Sequence, residues 1–90
     1  MIKIYTFNKG EYTESEHDRI FKENPDAGLA VVYTEHKSSR VPSGNRMVWV
    51  DTVLTKVAMF SNFSSAQDYI RFLDSQPNRS ISDLYIEDRD

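Results

Sequence analysis

Two histidines, no cysteine and a scatter of serines limit the chemistry open to this 90-residue chain. Glu14 stands three residues before His17, on one face of any helix that forms there. Two ligands do not close a metal site, and the spacing specifies no third. His36 lies in a different segment. Without cysteine there is no disulfide scaffold, thiolate zinc site or thiol nucleophile. The serines fall where turns and helix caps use them, and no Gly-x-Ser-x-Gly elbow frames one as a nucleophile. Three glycines are too few for a phosphate-cradling loop, and the acids form no recognisable catalytic pair. The expectation is a protein that is not an enzyme and needs neither metal nor cofactor.

One stretch does concentrate charge. "EHKSSRVPSGNRM", Glu35 to Met47, places His36, Lys37, Arg40 and Arg46 together with no acid after Glu35, in a chain of formal net charge -3. Lys37, Arg40 and Arg46 could neutralise about three phosphates, which gives weak, salt-sensitive binding. A nucleic-acid-binding module using the basic hairpin 36–46 is therefore one reading, and a solvated tip that guards an edge with charge is another. Elsewhere acids dominate, at Glu11, Glu14, Glu16 and Asp18 and again at Glu87, Asp88 and Asp90. That field discourages polyanions. The acids themselves suggest a nucleic-acid mimic, although helix-dipole compensation explains the first cluster and terminal solvation the second.

Rings with polar handles are the stronger signal. Tyr5, Tyr12, Tyr33, Trp49, Tyr69 and Tyr85 belong to the residue types enriched at protein interfaces. Tyr69 reads as core. Trp49, beside the basic turn, reads as an interface ring. The expected partner-binding set is Trp49, Tyr33, Lys37, Arg40 and Arg46, and a protein partner is favoured over nucleic acid.

These residues must be held by regular elements. "IKIYTF" is β-branched and aromatic and ends at "NKG", as a strand does. Thr13 with Glu16 forms a capping box, acids fill the first helical turn, and "NPD" stops the helix. Its apolar face is thin: His17, Ile20, Phe21 and Asn24. "GLAVVYTEH" is a second strand. "MVWVDTVLTKVAMF" is longer than a usual strand, and its apolar parity switches near Asp51, which predicts a bulge or a break into two strands. "PSGN" supplies a turn between them. In "FSSAQDYIRFLDSQPN", Ser64 and Gln67 fit a capping box, while Ala66, Tyr69, Ile70 and Leu73 follow helical spacing. "SISDLYIED" is a half-buried or edge strand, and "EDRD" is expected to fray into solvent.

The order is β-α-β-β-α-β in a single domain, 1–90. It matches the split βαβ, ferredoxin-like pattern of an antiparallel sheet with two helices on one face, here with an extra strand if the third strand breaks. The open sheet face or an edge strand would then serve a partner or a homodimer. Ile4-Tyr5-Thr6-Phe7-Asn8 resembles the first-strand motif of RNA-recognition domains. The third strand departs from that family, since Arg46-Met47-Val48-Trp49-Val50-Asp51 has one ring, no glycine and an aspartate. In general style the chain, short, ring-rich, cysteine-free and acidic, resembles accessory proteins of bacteriophages. That resemblance implies modulation or inhibition of a host protein by binding. No apolar run approaches membrane-spanning length, so a cytoplasmic location and no membrane partner are expected.

Overall fold

A computed structural model describes residues 3–77 and 80–89. The elements run β1 (Lys3–Asn8), α1 (Glu14–Glu23), β2 (Leu29–Ser43), β3 (Arg46–Phe60), α2 (Phe63–Asp74) and β4 (Ser80–Asp88). The strands form one antiparallel sheet in the order β1-β3-β2-β4. The molecule is a small α+β domain, as the sequence indicates. Among the described residues, no helix is long and apolar enough to cross a membrane.

The strand order corrects the ferredoxin-like expectation. In that pattern β4 would sit beyond β1; here it pairs with β2. The consequence reaches the helices. The β1-α1-β2 connection passes over β3, and β3-α2-β4 passes over β2, in the same direction across the sheet but from oppositely directed strands. Right-handed crossovers then place the two helices on opposite faces. The cores agree. Ile20 and Phe21 of α1 pack with Phe7, Ala30, Val32, Val57 and Met59. Ala66, Tyr69 and Leu73 of α2 pack with Leu29, Val31, Tyr33, Ala58 and Phe60. Each face carries one helix, so the wide open sheet face expected for a homodimer does not exist.

Two-sided burial also accounts for β3. It is one unbroken strand, paired with β2 from Leu29↔Phe60 to Ser43↔Arg46, so neither the break near Asp51 nor an extra strand is present. Both parities are apolar in its body half because both faces are covered there. The bulge lies in β4 instead. Pairing with β2 shifts between Val32 and Thr34, opposite Asp83, whose φ of 53° is in the left-handed region. The shift puts Ile81 on the same face as Leu84 and Ile86, and all three pack against the α2 core.

The helix termini follow local chemistry. Thr13 caps α1 by accepting from the Glu16 N–H, as its capping-box position suggests. For α2 the cap is Asn62, which accepts from Ser65 N–H at 2.8 Å, in place of Ser64. The C-terminal segment does not fray through Arg89. Its guanidinium donates to the carbonyls of Phe21, Asn24, Pro25 and Ala27, closing off the end of α1. Asp90 lies outside the described residues.

Candidate functional site

β1 reaches β3 only as far as Asn8↔Leu54, and β4 reaches β2 only as far as His36↔Ser80. Beyond those points, among the described residues, β2 and β3 continue without a third strand for seven pairs, Lys37↔Thr52 to Ser43↔Arg46. At the usual rise per residue this is a two-stranded arm roughly 20–25 Å long. It contributes to the elongated shape of the molecule, 50 × 30 × 22 Å. Gly44 closes it with φ +64°, the left-handed conformation that a two-residue II′-type turn takes at its first position.

Both faces of the arm are exposed, and of its apolar residues only Val41 is partly covered. Trp49 is 71% accessible, with Met47, Val48 and Val50 beside it in sequence. Arg40 is the cross-strand partner of Trp49, and its guanidinium lies 5.6 Å from the ring centroid. A cation–π contact at such a site contributes about 0.5–1 kcal/mol. Ser38 donates to Asp51 at 3.3 Å two pairs further in.

The structure therefore brings Trp49, Lys37, Arg40 and Arg46 onto one element. It does not make one basic patch of them. Paired residues share a face and successive residues alternate, so Arg40 and Trp49 lie on one side while Lys37 and Arg46 lie on the other. Lys37 sits near the arm's base and Arg46 at its tip. Tyr33 is elsewhere: it is 1% exposed, within the α2 core, with its hydroxyl 2.8 Å from that of Tyr69. The sequence could not separate Tyr33 from Trp49, because both are strand rings near the basic stretch. Only the point where the helices stop covering the hairpin distinguishes them. Met47, Val48 and Val50 are surface residues that the sequence reading passed over as strand formers.

Two other surface features bear on chemistry. Tyr12 donates to Glu87, whose carboxylate also lies 3.5 Å from His17 Nε2. Burial, then the hydrogen bond to Glu87, push the Tyr12 phenol well above its ordinary pKa. A phenol so held is a weaker acid than a free one and gives up its proton less readily, and the cluster ties α1 to β4. A groove of about 890 Å³ runs beside Lys3, Asn24, Met59, Phe60, Tyr69 and Phe72. Among the described residues, no group of three or more His, Asp or Glu side chains could hold a metal ion.

Comparison with known proteins yields no match: no family model, no curated protein and no solved structure is significantly similar to this chain.

Proposed function

We propose that this chain is a non-enzymatic binding protein whose working surface is the hairpin arm and whose partner is another protein. The observation that carries the reading is Trp49, exposed and braced by Arg40 on an arm that the domain core does not cover. Met47 extends that surface on the same side of the ribbon, and Val48 and Val50 are exposed apolar side chains on its other side. Such a run on a projecting element is the kind of surface that marks an interaction site. A small acidic body bearing a basic, ring-carrying arm suits docking on a larger protein in the cytoplasm and modulating or inhibiting it. Division of the bases between the two sides of the ribbon favours protein over nucleic acid, since a phosphate backbone is gripped by bases that converge.

The test compares two variants in binding kinetics with a captured partner. Trp49→Ala should speed dissociation and weaken affinity by about 2 kcal/mol or more. Lys37→Glu/Arg40→Glu/Arg46→Glu should mainly slow association. Sequence-tolerant, submicromolar binding to DNA or RNA at physiological salt, abolished by the triple change, would establish the nucleic-acid reading in its place.

A further inference from the structure

The two sides of the arm differ in chemistry. On the side of Trp49 the charges are answered within the arm: Arg40 lies against the indole, and Asp51 accepts from Ser38. The other side presents Val41, Val48 and Val50, with Lys37 near the base and Arg46 at the tip. What remains there, Ser39, Ser43 and Thr52, is small and uncharged, so that side carries no acid along the arm. Among the described residues neither Lys37 nor Arg46 takes part in an ion pair. The valine side also continues the surface beneath α2. The β2–β3 ladder has no bulge, so residue parity holds from the body to the turn. In the body that side carries Val31, Tyr33 and Ala58, and α2 covers them with Ala66, Tyr69 and Leu73. The helix runs toward the arm, since β4, which follows it, starts opposite His36. It stops at Asp74, and beyond it Val48 and Val50 are exposed.

We propose that this valine side of the arm receives an amphipathic helix of a partner protein, with its apolar stripe on Val41, Val48 and Val50 and its acids at Lys37 and Arg46. The inference rests on the arm being a protein-docking element and names the chemistry of what docks. The form of the occupant follows from geometry. A strand adds at a sheet edge, whereas a β-branched face is covered by a layer. On the same face of the same two strands, the layer this protein uses is a helix. The charge follows from the two unanswered cations, which repel a basic helix and attract one with Glu or Asp at either end of its stripe. From the Lys37↔Thr52 pair to the Ser43↔Arg46 pair the ribbon runs about 20 Å, the length of roughly 13 helical residues. Docking there leaves Trp49, on the opposite side, open to a second contact with the same partner.

Two synthetic helical peptides of about 14 residues, titrated into the full chain and followed by NMR, test this. Both carry one leucine stripe; one has Glu at each end of it and the other Lys. At low salt the Glu peptide should bind at least about tenfold more tightly than the Lys peptide. It should shift the methyl signals of Val41, Val48 and Val50 and leave the Trp49 indole N–H unmoved. Lys37→Glu/Arg46→Glu should invert the preference, and Trp49→Ala should leave both affinities within about twofold. Should the double variant fail to fold, the wild-type comparison decides alone. Equal binding of the two peptides, binding of neither, or a folded double variant that does not invert the preference overturns the proposal. So does a Glu peptide that moves Trp49 and not the valines. A single-stranded oligonucleotide that displaces the Glu peptide from the valines would give the face to nucleic acid. Valine shifts that grow with protein concentration alone would give it to a second copy, and either result overturns the proposal as well. If neither peptide binds yet a Trp49-dependent protein partner does, the helix site falls and the docking reading stands.

Discussion

The hydroxyls of Tyr33 and Tyr69 meet 2.8 Å apart, inside the core between the sheet and α2. Their rings are 6.2 Å apart, and Tyr69 also lies 5.3 Å from Phe60. Two polar groups are thereby buried with a shared hydrogen bond, which fixes the rotation of α2 on its face of the sheet. Tyr69→Phe should destabilise the domain by about 1 kcal/mol, and adding Tyr33→Phe should cost less than the sum of the single changes. Urea denaturation of the two singles and the double measures the coupling; strict additivity would show that the hydroxyls do not interact.

Arg89 is the bond between the chain's end and its first helix. It donates to four carbonyls and lies 5.4 Å from the Phe21 ring centroid. Arg89→Ala should lower stability by roughly 1.5–3 kcal/mol, and Arg89→Lys should recover little, since a point ammonium cannot reproduce the planar fork. Chemical denaturation checks both. A full rescue by lysine would mean that charge alone matters.

His17 gives stability a pH dependence. Partial burial pulls its pKa down. The hydrogen bond to Asp18, the Asp88 carbonyl and the charges of Glu87 and Asp18 outweigh that, leaving it above its usual 6.5. A raised folded-state value means that the native protein binds the proton more tightly than the unfolded chain. The stabilisation is complete below pH 6.5 and is lost as pH rises through the folded value. His17→Gln should flatten that decline in denaturation series from about pH 5 to about pH 8. Parallel curves for wild type and variant would count against it.

The arm should behave differently from the body. Two-stranded ribbons are marginal alone, so at low concentration amides from Lys37 to Val50 should exchange far faster than those of Val31 and Val57. Trp49 is the one tryptophan, and its emission should be red-shifted and readily quenched. Strong protection across the arm in dilute monomer, or blue-shifted emission, would place the arm against the body.

Features that depend on neighbours along the chain are legible in the residues alone. Thr13 caps α1 because a threonine three residues before a glutamate satisfies local N–H groups wherever the helix lies. Ala66, Tyr69 and Leu73 form the buried stripe of α2 because their spacing is a property of the helix. The hairpin turn at Gly44 is legible for the same reason. The strand that β4 joins is set by long-range packing. Pairing with β2 instead of β1 sends the second crossover the same way across the sheet as the first, so each face receives one helix. That choice buried Tyr33, made both parities of β3 apolar without a bulge, and moved the irregularity to Asp83. It also tied Arg89 to α1. Local propensity is blind to such pairings because they join residues more than 40 positions apart, where side-chain fit against the whole sheet outweighs any preference of the segment itself.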